Sequence, residues 1–176
     1  MAKIIKDGAV TDDAWKVVTV AAGESADSVS LPVGPLLVPV AVWRARRREL
    51  VEREYSHGWP LGIWLSAEEG PELIAEDLDD FSVIGIEFSK FSDGRGYSTA
   101  RLLRTRYGYA GELRALGDVL RDQLFYLSRV GFDAFAVRAD RNIEQALTGL
   151  ADFNVVYQGS ANPALARREA ALRRVA

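Results

Sequence analysis

Short apolar runs begin near residues 61, 82, 112, 134 and 153, and each gap of 19 to 30 residues between them holds one stretch with helical spacing. That rhythm is the spacing of βα units. Runs such as Leu61-Gly62-Ile63-Trp64-Leu65 and Ser82-Val83-Ile84-Gly85-Ile86-Glu87-Phe88 are nearly continuous in apolar residues, as strands covered on both faces must be. The expected fold is therefore α/β: about five mostly parallel strands in βα units, forming an open sheet or a partial barrel. A complete eightfold barrel normally takes about 250 residues, and the chain has 176.

The helices between these strands carry their own start and stop signals. Ser66 and Glu69 form a capping-box pair ahead of a helix that Gly70-Pro71 delays to residue 71. A helix follows over 98–107. Asp118 is placed to cap another over 119–130, which Gly131 ends. Asn142 with Gln145 three residues later opens a helix to about residue 150. The run 112–116, bracketed by Gly111 and Gly117, is the shortest argument for a strand.

Residues 1–35 differ in texture and read as an N-terminal hairpin and flexible connector. Asp7-Gly8 supplies the turn and 15–20 is β-branched, while 22–30 is small and polar. Pro32, Gly34 and Pro35 keep the following stretch irregular, and a helix is expected from Pro39. Residues 36–161 make the α/β domain and 162–176 a C-terminal helix.

Composition removes several kinds of chemistry. There are no cysteines, so disulfides, thiolate nucleophiles and Cys-held metal centres are excluded. The single histidine, His57, precedes the first core strand and reads as a surface or capping group. No dinucleotide or P-loop fingerprint is present, so no cofactor and no metal are expected. The net charge of -3 gives no pull towards nucleic acid. Nowhere do 18 apolar residues run together, and the first residues carry no secretory pattern, so no membrane partner and a cytoplasmic location are expected.

Parallel strands would bring their C-terminal loops to one edge, where α/β proteins place ligands. Glu87, Lys90, Asp93, Arg95, Asp118, Arg121 and Arg138 belong to that edge, with Arg114 contributed by the 112–116 strand. In the loop 90–98, Gly94 and Gly96 permit a tight turn or close approach to a ligand, and Arg95 offers a planar fork. Two readings stay open here: a structural ion-pair network, or a cradle for a small anion. The helix 119–130 is apolar on more than one face, through Leu120, Leu124, Phe125, Tyr126 and Leu127, which suits either internal burial or a homo-oligomer contact.

The strings Lys90-Phe91-Ser92-Asp93-Gly94-Arg95-Gly96-Tyr97-Ser98, Ala100-Arg101-Leu102-Leu103-Arg104, Gly111-Glu112-Leu113-Arg114-Ala115, Gly117-Asp118-Val119-Leu120-Arg121-Asp122-Gln123-Leu124-Phe125-Tyr126 and Gly131-Phe132-Asp133-Ala134-Phe135, taken together, resemble the bacterial domain-of-unknown-function family 934. The resemblance implies a cytoplasmic protein associated with assimilatory sulfate reduction and often labelled a probable oxidoreductase. It implies no catalytic residues. It also implies relatives with cysteine where this chain has Val130, so thiol redox chemistry is not the shared function. Two functions follow as expectations. One is an accessory or assembly protein that binds sulfite reductase, another sulfate-assimilation enzyme or a small anion. The other is an enzyme or oxidoreductase component acting on a sulfur oxyanion or sulfonated metabolite.

Overall fold

The computed structural model describes residues 2–153 together with 160 and 161. In chain order the elements are β1 (Ala2–Lys6), β2 (Ala9–Asp13), β3 (Lys16–Val17), β4 (Leu36–Pro39), α1 (Val40–His57), β5 (Leu61–Leu65), β6 (Val83–Phe88), α2 (Arg95–Thr105), β7 (Glu112–Gly117), α3 (Arg121–Val130), β8 (Ala134–Phe135) and α4 (Ile143–Leu147). All eight strands join one sheet in the order β2-β1-β8-β7-β6-β5-β4-β3. The pairs from β3 to β8 are parallel, whereas β1 is antiparallel to both β2 and β8.

The fold is α/β, but the expected sheet of about five mostly parallel strands is corrected to an eight-stranded mixed sheet curled into a half-barrel. Three features account for the difference. The N-terminal hairpin turns at Asp7 and Gly8, both at positive φ, but it is built into the sheet: Ile5 and Lys6 pair with Phe135 and Ala134. Leu36–Pro39 is a fully buried strand despite the prolines and glycine just before it. Lys16–Val17 then pairs with its outer side. The helix expected from residue 71 is replaced by two 3-10 turns, Pro71–Ile74 and Leu78–Asp80. There Ser66 and Glu69 close a turn on themselves, the Glu69 carboxylate accepting the Ser66 N–H and hydroxyl, both at 2.8 Å. The strand expected at 153–157 lies outside the described residues except for Phe153, which is in no strand, and the helix expected over 162–176 lies wholly outside them.

Curling follows from connectivity. β2 and β3 are the two edges of the sheet, yet only residues 14 and 15 separate them in the chain. Three residue steps reach at most about 10 Å, so the edges must meet at that point. The segment 9–17 thus serves as one edge, crosses, and becomes the other.

Strand alternation sorts side chains onto two faces. On the outer face Ile63, Ile84 and Leu113 share a rung, and with Ile86, Phe88, Ala115 and Phe135 they pack beneath Ala100 and Leu103 of α2 and Leu124 and Leu127 of α3. The fully enclosed Phe88 ring contributes roughly 1.5–3 kcal/mol. On the inner face one rung runs Pro39, Trp64, Gly85, Arg114, Ala134, Lys6. Glycines make room there. A Cβ at Gly62 would sit 2.8 Å from Leu37 and 3.0 Å from the Trp15 ring, and one at Gly85 would sit 2.7 Å from Leu116. The inner face is filled by Trp15, Trp64, Leu37 and Leu116 rather than left as a channel.

Candidate functional site

The loops after β6, β7 and β8 meet at the C-terminal edge, and Asp118 joins all three. Its N–H donates to the Phe88 carbonyl (2.8 Å). One carboxylate oxygen accepts the Phe91 N–H (3.0 Å), and the other lies 2.7 Å from Arg138 Nη1. Arg138 in turn grips Asp140 in a fork at 2.6 and 3.1 Å, while its own N–H donates to the Val119 carbonyl. Asp140 beside it raises the Arg138 pKa, and Arg138 lowers that of Asp140.

Asp118 is therefore a tie between loops and not the helix cap that its spacing suggests. Gly117 takes φ +86, which only glycine adopts without strain, and α3 starts later, at Arg121. Its cap is Gln123, whose side-chain oxygen accepts the Leu120 N–H at 2.9 Å. Gln123 is buried, reaches the Phe91 carbonyl at 3.5 Å and hydrogen-bonds the Tyr97 phenol, whose pKa burial pushes up.

In the glycine loop Asp93 and Arg95 pair with each other. Asp93 accepts the Arg95 N–H (3.1 Å) and binds its guanidinium through both oxygens (3.0 and 2.7 Å), while Arg95 Nη1 reaches Glu68 at 2.8 Å. Arg95 holds the Asp93 carboxyl down to about 2, and Asp93 with Glu68 pushes the Arg95 pKa further up. Gly96 is buried, and a Cβ there would lie 2.7 Å from the Phe88 ring. Its smallness serves the seating of α2 on β6.

The other expected residues separate. Arg121 leaves this group and binds Asp152 (2.5 Å) and Thr148 (3.2 Å). Lys90 is exposed beside Phe91, and Glu87 is half-buried on the inner-face side of β6. Arg114 does not join the edge. It is 2% exposed on the inner face, held by Asp13 at 2.9 and 3.0 Å and by Glu112 at 2.8 and 2.7 Å, with its guanidinium 5.8 Å from the Trp15 ring centre. His57 is exposed and stacks on Trp59.

Two groupings were legible only in part from the sequence. Phe91 and Tyr126 are 50% and 56% exposed, linked through Gln123 and through Tyr97, whose ring lies 5.2 Å from that of Tyr126. The apolar excess of the 119–130 helix was the available signal for Tyr126. The second is a cleft between the starts of α3 and α4, lined by Arg121, Asp122, Arg141, Asn142 and Gln145. Asn142 and Gln145 were legible as a cap, and the Gln145 N–H does donate to Asn142 Oδ1 at 3.0 Å.

Among the described residues no group of three or more His, Cys, Asp or Glu side chains is placed to hold a metal ion, and no helix is long and apolar enough to cross a membrane. No curated protein matches the chain. Residues 62–166, which carry β5 from its second residue, β6 to β8 and every loop of this edge, match a family described as bacterial protein of unknown function (DUF934). Because that match spans more than half of the 176 residues, the chain belongs to the DUF934 family.

Proposed function

We propose that this protein is an accessory protein of assimilatory sulfate or sulfite reduction that docks a partner protein on the C-terminal strand edge. The observation that carries the reading is that Arg95 and Arg138 are each engaged by carboxylates of the same chain, on the edge that also carries two exposed aromatic rings. Pre-paired arginines make a braced polar rim rather than an open anion cradle. Phe91 and Tyr126 supply the amphipathic rings enriched at interface cores. Sulfite reductase is the partner that the family resemblance suggests. An enzyme acting on a sulfur oxyanion has less support, because Arg114, needed to neutralise substrate charge, is enclosed between Asp13 and Glu112.

The experiment is capture of purified sulfite reductase on immobilised protein, alongside the Phe91→Ser/Tyr126→Ser double variant. Both rings are surface groups, so the variant should unfold at the wild-type midpoint while losing at least about tenfold in affinity, as truncation of two interface aromatics does. No retention by the wild type above a control protein would overturn the reading.

A further inference from the structure

One arginine on the strand edge is not braced like the others. Arg141 is half-exposed, and its sole ion-pair contact among the described residues is Nε to Asp140 at 3.6 Å, a carboxylate already forked by Arg138. Its two terminal nitrogens have no partner there. Arg141 lines the cleft of about 300 Å³ between the first turns of α3 and α4.

Other unused donors line the same space. Asn142 commits its Oδ1 to the Gln145 N–H, which fixes the flip of its amide and leaves the Nδ2 hydrogens unspent. The Gln145 side-chain amide has no partner among the described residues. Arg121, on the opposite wall, is fixed through Asp152 and Thr148. Two contacts tie the walls. Arg138 N–H to Val119 carbonyl ties the two approach loops, and Gly149 lies so close to the start of α3 that a Cβ would come within 2.6 Å of the Arg121 carbonyl. Asp122 is the single acid of the lining, and its carboxylate is mostly exposed at 4.0 Å from Arg121.

We infer that this cleft is a binding site for a small oxyanion of the phosphate or sulfate class, with Arg141 as its principal charge and Asn142 and Gln145 as orienting donors. The unspent N–H donors of Arg141, Asn142 and Gln145 outnumber the acceptors of the lining, the Asp122 carboxylate and the Gln145 oxygen; that balance favours an oxyanion, and a guanidinium fork suits its oxygens. A cavity of about 300 Å³ exceeds what a bare tetrahedral ion fills, so the anion can be free or the head of a small ester. The site is separate from the partner-docking reading and does not depend on it.

The test is an amide NMR titration with inorganic phosphate at fixed ionic strength, repeated with glycerol phosphate. Saturable shifts should concentrate at 120–123 and 141–146. Arg141→Ala should weaken binding at least tenfold, Gln145→Leu should weaken it less, and Asp122→Asn should tighten it. Arg48→Ala, which removes an equal charge from α1, should titrate like the wild type. Tighter binding of glycerol phosphate identifies an ester as the ligand form, and tighter binding of inorganic phosphate the free ion. Shifts that are scattered or never saturate, or an Arg141→Ala protein indistinguishable from wild type, would overturn the assignment.

Discussion

Arg114 on β7 and Asp13 at the end of β2 are 101 residues apart in sequence and 2.9 Å apart in space. The pair fastens the first hairpin across the inner face of the sheet. Arg114 is almost completely buried, so its charge is tolerable only with its partners in place. Replacing Arg114 with Ala leaves the Asp13 carboxylate without its cation, while Glu112 keeps Lys6 at 2.8 Å, and should cost about 3–5 kcal/mol. Asp13→Asn should cost less, about 1.5–3 kcal/mol, because Glu112 still holds the guanidinium. Urea unfolding of the two variants measures both, and an Arg114→Ala loss below about 1 kcal/mol would remove the fastening role.

Gly62 and Gly85 should each resist a single added methyl group. Alanine at 62 meets Leu37, the Val83 carbonyl and Trp15 within 3.0 Å, and alanine at 85 meets Leu116 and the Cβ of Trp64. Overpacking of this kind costs about 1–3 kcal/mol. Gly94, with nothing within 4 Å of its Cβ position, should accept alanine within about 0.5 kcal/mol. Thermal midpoints of the three variants provide the comparison.

Asp93 should titrate abnormally, for a stated reason. Its ordinary value is 3.8 and Arg95 holds it to about 2 in the fold. A carboxyl lowered by folding favours the folded state above the unfolded pKa, and that contribution disappears as the pH falls from about 3.8 to about 2. Because its Arg95 partner stands largely in solvent, the titration itself is the useful readout. Carboxyl-carbon NMR should give a midpoint near 2 in the wild type and a return towards 3.8 in Arg95→Ala. A normal midpoint in the wild type would mean that the pair is not formed in solution.

Asp118→Ala should loosen the strand edge without unravelling α3. The Phe91 N–H loses its acceptor and Arg138 loses one of two partners, so the Phe91 amide should exchange with solvent at least about tenfold faster. The start of α3 should keep its protection, since Gln123 caps it. Gln123→Ala should do the converse, costing about 1 kcal/mol and exposing the Leu120 amide.

Local patterns were legible and long-range pairings were not. The strands over 61–65, 83–88 and 112–117 follow from apolar runs, and the Asp7-Gly8 turn from its backbone preference. Even the short run between Gly111 and Gly117 is a strand, because Leu113 and Ala115 fall on the covered face. Leu36–Pro39 was hidden by the prolines before it, although its burial comes from neighbours on both sides, β3 and β5. The hairpin's partner, β8, lies about 130 residues downstream, and no periodicity encodes that.

The same division holds at the candidate site. Asp93 and Arg95 are two residues apart, so their pairing was readable as one of two options. Asp118 with Arg138 depends on which loops lie side by side, and its spacing from the helix suggested a cap that Gln123 supplies instead. Arg114 sits mid-strand among apolar residues, where sequence alone does not say which face is closed over by Trp15.

Emergence from the ribosome runs against this topology. β1 finds its second neighbour only when Ala134 and Phe135 have been made, which at about 5–20 residues per second leaves the hairpin waiting for roughly ten seconds. β3 waits far less, since β4 follows it within about 20 residues. β1 and β3, both made early, therefore gain their partners at different times. Within the sheet, the pairing of the amino-terminal hairpin with β8 is the last to become available as the chain is made.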